Sequence, residues 1–247
     1  MKALILAGGC GKRIGEFNIP RHKCLLEVNG KRVMDFSLEA AARLGVQEIV
    51  MVIGYLAETI IRAYGGCYKG IPVVYAVQQE QQGLVHAMAC GRQALNHSDF
   101  CLFLGDEVLI AADHRAMVQT FFREEAFAVC GMVPTENLDW VRKNYSIRFD
   151  PATRRISQLV EKPANPFNAF IGTGNCVFKN EVFAYIDAMP VDARTGNKEL
   201  AALIQCAIDD GGKIFCHSFS AATYVNVNTP EDFILARQMI GKRPDES

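Results

Sequence analysis

The sequence predicts an α/β fold: a mixed, mostly parallel sheet sandwiched by helices, with a smaller β-rich portion in the second half. Three observations carry this. Apolar runs of strand length alternate with one-face helical patterns through the first half, the mark of right-handed strand–helix–strand crossovers. Half of the 247 residues are apolar, enough for a sizeable core. The first strand empties into a glycine-rich turn, and in a parallel sheet ligands gather beyond such carboxyl ends.

In chain order, strands are expected at 2–7, 48–53, 72–77, 99–104 and 126–133, where apolar residues run without interruption. Helices are expected at 34–44, 56–64, 83–94 and 112–123. The second of these spaces Leu56, Ile60, Ile61 and Tyr64 along one face. Segments 144–149 and 155–160 flank Asp150-Pro151-Ala152-Thr153, a turn sequence, and form a hairpin. A loop with Pro163 and Pro166 follows. A strand at 172–178, helices at 180–188 and 197–209, strands at 213–217 and 223–227, and a closing helix at 231–240 complete the order. Thr229 is set to cap that helix, with Pro230 at its first position and Asp232 at its third. The chain reads as a single domain over 1–247 with no linker or internal repeat.

Bulk properties narrow the function. A net charge of −1 argues against general nucleic-acid or anionic-membrane binding, so any phosphate site must be local. No secretory signal pattern is visible, and no apolar run approaches the ~20 residues of a membrane span. The nine cysteines contain no Cys-x-x-Cys pair, which withdraws support from zinc or dithiol chemistry and suits a reducing cytoplasm. The expected localisation is cytoplasmic.

The first chemical feature follows strand 2–7. Gly8, Gly9 and Gly11 leave backbone N–H groups bare, and Arg13 and Lys23 add fixed positive charge: a phosphate cradle. It is not a dinucleotide fingerprint, because Gly15 falls one place late. It is not an ATPase P-loop, because Gly11-Lys12 is followed by Arg13 rather than a hydroxyl residue. Next, Leu102-Phe103-Leu104-Gly105-Asp106-Glu107 ends a strand in two carboxylates, where a magnesium ligand belongs; a solvated acid pair is the plainer alternative. Glu161-Lys162-Pro163 places an acceptor for sugar hydroxyls beside a point charge for phosphate; a surface salt bridge is the alternative there. Gln78 offers an amide donor and acceptor to the N3–H and O4 edge of uracil or thymine, and Gly83 lets the next helix start close to a flat base. Asn226 ends a strand with an amide oxygen in reach of a cation, or simply caps a turn. His86 reads as packing, and His22, His97, His114 and His217 carry no partner pattern.

Taken in order, Leu6-Ala7-Gly8-Gly9-x-Gly11-x-Arg13, Lys23, Gly83-Leu84-x-x-Ala87, Leu104-Gly105-Asp106, Glu161-Lys162-Pro163 and Thr229-Pro230-Glu231-Asp232 resemble the sugar-1-phosphate nucleotidyltransferases, or nucleoside-diphosphate-sugar pyrophosphorylases. The spacing of Gln78 and Gly83 is most similar to the glucose-1-phosphate thymidylyl- and uridylyltransferases. The resemblance implies a Rossmann-like sheet, a nucleotide-binding half at about 1–125 and a sugar-phosphate-binding half at about 126–240. It implies transfer of a nucleotidyl group from UTP or dTTP to a hexose 1-phosphate such as glucose 1-phosphate, with pyrophosphate released and Mg2+ required. By the same resemblance Arg13, Lys23 and Lys162 are catalytic. Leu6, Ala7, Gly8, Gly9, Gly11, Gln78 and Gly83 bind the nucleotide. Tyr145, Ser146, Glu161, Lys162 and Asn175 bind the sugar phosphate. Asp106 and Asn226 hold the metal.

The chain departs from that pattern in places. Glu107 stands where the subgroup has asparagine, and Asn226 where it has a second metal aspartate. Ser146 replaces a sugar-binding glycine, so a hydroxymethyl is expected to face the sugar. His22 precedes Lys23 where proline is common. The chain's length implies a single activity without an added acyltransferase-like or regulatory domain. The expected partners are a nucleoside triphosphate and a sugar 1-phosphate, with no nucleic acid or membrane, and self-association into a homo-oligomer stays open. The sugar phosphate is already ionised at neutral pH, so the task is bringing two anions together in line, by positioning and cationic neutralisation rather than by a general base. The rival readings are a CTP-dependent cytidylyltransferase of a small alcohol phosphate or phosphonate, a guanylyltransferase of a heptose or mannose phosphate, and a non-catalytic nucleotide-sugar-binding regulatory protein.

Overall fold

The structure is a computed structural model and describes residues 1–9 and 22–241. Gly11 and Arg13 lie outside the described residues. The chain opens with β1 (Lys2–Ala7) and a short 3-10 turn at Lys23–Leu25, followed by β2 (Glu27–Val28), β3 (Lys31–Arg32) and α1 (Val33–Leu44). Next come β4 (Ile49–Ile53), α2 (Ala57–Tyr64), β5 (Cys67–Tyr68), β6 (Ile71–Val77), α3 (Leu84–Leu95) and β7 (Phe100–Leu104). Then β8 (Glu107–Ile110), α4 (His114–Arg123), β9 (Ala128–Pro134), α5 (Leu138–Lys143), β10 (Tyr145–Phe149), β11 (Ile156–Glu161) and β12 (Phe170–Phe178). The chain closes with α6 (Val182–Ala188), α7 (Leu200–Asp209), β13 (Ile214–Ser218), β14 (Thr223–Asn226) and α8 (Pro230–Gly241).

The main sheet runs β11-β10-β12-β7-β1-β4-β6-β5, with β9 on β12 and β13 on β9. β7, β1, β4 and β6 are parallel; β12 joins β7 antiparallel and makes the sheet mixed. The apolar run Ile49–Ile53 fits this centre because helices cover both faces, and all five residues are buried. Alternation sorts the side chains. Leu4, Leu6, Val50, Val52, Phe100 and Leu102 face α3, α6 and α7. Ala3, Ile5, Ile49, Met51, Cys101 and Phe103 face α1, α2 and α4. Elements from both halves of the chain share this sheet.

Several boundaries differ from the sequence expectation for local reasons. α4 starts at His114 rather than 112 because the Asp113 carboxylate caps it, accepting from the Ala116 N–H at 2.9 Å. α7 starts at Leu200 rather than 197, so 197–199 is loop rather than helix. α8 begins as expected: Asp232 Oδ2 accepts from the Thr229 N–H at 2.9 Å, and Thr229 Oγ1 accepts from the Asp232 N–H at 3.2 Å. β8, unforeseen, pairs antiparallel with β14 in a separate two-stranded sheet. α8 covers that pair through Ala236, in a cluster with Val108, Val225 and Val227.

The topology places the site. β1 lies between β4 and β7, so the order of strand addition reverses at the β1–β7 boundary. Crevices outside the carboxyl ends at such a reversal are where open α/β sheets hold ligands. Gly8-Gly9 leaves β1 there, and Gly105-Asp106 leaves β7 beside it, tied by the Gly105 N–H donating to Leu6 O at 2.9 Å.

Candidate active site

At this crevice the Lys23 ammonium contacts Asp106 Oδ2 in an ion pair whose side chains are only 12% and 17% exposed. Lys23 also donates to Asn228 Oδ1 at 3.0 Å, and Asn228 Nδ2 donates to Asn226 Oδ1 at 2.8 Å. The 3-10 turn delivers Lys23. His22, buried in front of it, accepts the Cys24 N–H on Nδ1 at 3.3 Å. Burial and the Lys23 charge lower the His22 pKa to about 4, so it is neutral at physiological pH.

On the far side of β14, Lys162, Asn226, Asn228, Asn144 and Asp232 border one cavity of about 350 Å³. Lys162 therefore shares a space with Asn226, and Lys23 reaches it through Asn228. Lys162 has φ +44°, a left-handed turn at the exit of β11, and its N–H donates to Asn144 O at 2.6 Å. Glu161 lies 3.4 Å from the Lys162 ammonium and is 16% exposed. Burial raises its pKa to about 7, held back by Lys162 and pushed further by Glu199.

At the carboxyl ends of β1 and β6, Gly8 meets Gln78. A Cβ on Gly8 would lie 2.6 Å from Gln78 Oε1, so glycine is the residue that lets the two segments approach. Gln78 is buried, and its Nε2 donates to Gly83 O at 3.2 Å and lies 3.0 Å from His86 Nδ1. The expectation that Gln78 offers both donor and acceptor is thus corrected: the donor half is spent inside the protein, and Oε1 is what remains. His86 is the partner that fixes this orientation.

Three sugar-phosphate assignments meet side chains already engaged. The Tyr145 ring packs against Gly172 in the core, and its hydroxyl donates to Thr173 O at 2.6 Å. Ser146 is fully buried, and its Oγ accepts the Phe167 N–H at 2.9 Å, so the hydroxymethyl closes the loop after β11 instead of facing a sugar. Asn175 gives Nδ2 to Glu107 Oε2 at 2.7 Å, and its Oδ1 lies 2.9 Å from His114 Nε2. All three side chains are engaged within the protein: both faces of β10 are covered at Tyr145 and Ser146, and Asn175 lies at the register shift of β12.

Sequence reasoning missed other residues. Asn228 bridges Lys23 to Asn226; its spacing two residues beyond Asn226 was the available signal. Arg194 and Glu199 lie near enough to act on the Glu161 charge, from the loop before α7, whose last three residues local patterning read as helix. Glu107 is not half of a solvated acid pair. It is buried, and it accepts from the Gly174 N–H at 2.9 and 3.1 Å, from Asn175 Nδ2, and from the Tyr224 hydroxyl at 2.8 Å.

A divalent cation fits the donors at the Lys23 end of the site. The Val227 N–H donates to Asp106 O at 2.8 Å, and Asn226 pairs with Glu107 across the β14–β8 ladder, so the Asp106 and Asn226 segments run side by side. One carboxylate and one amide oxygen form a hard, oxygen-only set. Among the described residues no group of three or more His, Cys, Asp or Glu side chains converges, so an all-protein cage is not built. This matches the magnesium mode that uses one or two carboxylates and completes its shell with substrate phosphates and water.

The nucleotidyl transferase family model matches residues 2–243. A UTP–glucose-1-phosphate uridylyltransferase of Haloferax volcanii is 30% identical over 215 residues, covering 87% of this chain and 86% of its own length. A glucose-1-phosphate thymidylyltransferase of Streptomyces griseus is 29% identical over 85% of this chain; the match spans 58% of that longer protein. The crystal structure of a UDP-glucose pyrophosphorylase complexed with UDP-glucose superimposes with a TM-score of 0.86 at 18% identity, covering 98% of each chain, a likeness of fold.

Proposed function

The chain belongs to the nucleotidyl transferase family, and from that premise we propose that it transfers a uridylyl or thymidylyl group from UTP or dTTP to a hexose 1-phosphate, glucose 1-phosphate foremost. In this reaction a phosphate oxygen of the sugar 1-phosphate attacks the α-phosphorus, the α–β phosphoanhydride bond breaks, and pyrophosphate leaves. The observation that carries the reading is the Lys23–Asp106 pair at the β1–β7 reversal, linked by Asn228 to the cavity that Lys162 borders. Two cationic side chains linked through Asn228 suit two anionic substrates that must meet in line.

Lys23 neutralises triphosphate charge at the end of β1, and Lys162 holds the sugar phosphate. Glu161 accepts from sugar hydroxyls. Asp106 and Asn226 hold Mg2+, which supplies charge neutralisation at the phosphate oxygens. Arg13 and the Gly9–Gly11 backbone belong to the triphosphate side of the same reading. The Gln78 orientation favours uracil or thymine: Oε1 accepts from N3–H, whereas cytosine carries a lone pair at N3. A reducing, cytoplasmic setting goes with the reading, and the eight described cysteines are all free thiols.

The test is a pyrophosphate-release assay with four nucleoside triphosphates against a panel of sugar 1-phosphates. Release confined to UTP or dTTP with a hexose 1-phosphate is expected. Release with CTP and a small alcohol phosphate, or with no pair at all, refutes the proposal.

A further inference from the structure

The buried carboxylate of Glu107 sits directly behind the cation end of the site. Four donor contacts converge on it from two strands, β12 and β14: the Gly174 N–H reaches both oxygens, Asn175 Nδ2 reaches Oε2, and the Tyr224 hydroxyl reaches Oε1. The register shift between Gly172 and Cys176 in β12 releases the Gly174 N–H for this purpose. Three of the four contacts come from N–H groups, which can only donate, while burial raises the Glu107 pKa to about 7. Glu107 also begins β8 immediately after Asp106 and lies opposite Asn226 in the β8–β14 ladder.

Lys23 donates to Asn228 Oδ1, Asn228 Nδ2 donates to Asn226 Oδ1, and the Tyr224 hydroxyl donates to Glu107. Tyr224 and Asn226 stand two residues apart on β14 and share one face of the strand, so the bond from Tyr224 to Glu107 pins the strand that carries Asn226. The Val227 N–H, next along the chain, donates to Asp106 O at 2.8 Å, so the pinned strand is also the one that runs beside the Asp106 turn.

We propose that Glu107 is a positioning residue that pins β14 through Tyr224 and so holds Asn226 beside the Asp106 turn in the arrangement that takes a divalent cation. It rests on the proposed nucleotidyl transfer and on Asp106 and Asn226 as cation ligands. Partners behind the ligands of a metal centre commonly change metal affinity about 10–100-fold when removed.

The test measures Mn2+ affinity by electron paramagnetic resonance of the free ion, with UDP-glucose bound and no pyrophosphate, so that nothing turns over. Tyr224→Phe cuts the link and leaves the Glu107 carboxylate in place. The expected result is about tenfold weaker Mn2+ binding, with the glucose 1-phosphate KM changed less than about twofold. Glu107→Gln is expected to weaken Mn2+ at least as much, and the double variant to bind no worse than Glu107→Gln alone, because both act along one path. If Glu107→Gln fails to fold, Tyr224→Phe decides: weakening below about threefold, even with a lowered Tm, overturns the proposal and leaves a structural role only. Additive losses in the double variant overturn it as well. Failure of the unaltered protein to bind Mn2+ with UDP-glucose overturns both this inference and the functional reading beneath it; unaltered binding with an unchanged Tyr224→Phe variant overturns this inference alone.

Discussion

Gly8→Ala puts a methyl group 2.6 Å from Gln78 Oε1, well inside the 3.0 Å that real Cβ contacts respect. Something must move, and the adjustable part is the Gln78 amide. Gln78 is buried at 3% exposure, so a displaced amide loses its bond to Gly83 O and its contact with His86 Nδ1 without gaining water in exchange. Stranding a buried polar group costs about 1–3 kcal/mol, which in a chain of this size lowers Tm by about 2–12 °C. The same movement takes Oε1 from the N3–H of the base. Losing that contact corresponds to about a 5–150-fold rise in KM for UTP or dTTP. The glucose 1-phosphate KM should change less than about twofold, because Lys162 and Glu161 are on another wall. The assay is steady-state pyrophosphate release with each substrate varied in turn, alongside thermal unfolding. Adding Gln78→Ala removes the clash, so the double variant should regain most of the Tm but not the preference for UTP over CTP. A Gly8→Ala protein with native Tm and native UTP preference, or a double variant as unstable as the single, would refute the reasoning.

Other expectations are narrower. Lys162→Ala should raise the sugar phosphate KM by about tenfold or more while the triphosphate KM moves little; equal effects on both would remove Lys162 from its assigned place. Glu161 should make sugar phosphate binding pH-dependent. As pH falls from 8 through about 7 the carboxylate protonates and becomes a weaker acceptor for sugar hydroxyls, so KM rises, and Glu161→Gln should flatten that profile. The stability sign is opposite: a raised folded-state pKa means the Glu161 contribution is fully present below pH ~4.5 and is lost as pH rises through about 7, so Glu161→Gln should abolish that part of the Tm decline. Ser146→Gly should cost about 1–3 kcal/mol of stability by leaving the Phe167 N–H unpaired, with the ranking of sugar phosphates unchanged; a new sugar preference would restore Ser146 to the substrate.

The central sheet was legible because its information is local. Ile49–Ile53 is apolar at every position, which only a strand covered on both faces tolerates, and Thr229-Pro230-Glu231-Asp232 carries its own cap. What escaped was non-local. Glu107–Ile110 is four residues long and follows a turn directly; its partner, Thr223–Asn226, lies more than a hundred residues away, and no pattern within either segment announces the pairing. Asn197-Lys198-Glu199 was read as the first turn of a helix that starts at Leu200. For the site, residue type pointed to Asp106 and Lys23, which pair with each other, and to Lys162 and Asn226, which border one cavity; Asn228 joins the two sets. It did not reveal which side chains were already occupied. Asn175, Ser146 and the donor half of Gln78 are consumed by Glu107, Phe167 and Gly83, and that depends on register, bulge and burial. Glu107 shows the converse: an acid that reads as surface becomes the most heavily hydrogen-bonded carboxylate beside the cleft.

The measurement closest to the central claim follows the α-phosphorus itself. The protein is incubated with α-labelled UTP or dTTP, glucose 1-phosphate and Mg2+, in parallel with its Asp106→Asn variant, and the label and pyrophosphate are counted together. The account predicts label in the nucleoside-diphosphate sugar in one-to-one ratio with pyrophosphate, and a rate for Asp106→Asn lower by on the order of 10²–10³. Label that never enters a sugar product, or an Asp106→Asn rate near that of the unaltered protein, would contradict it.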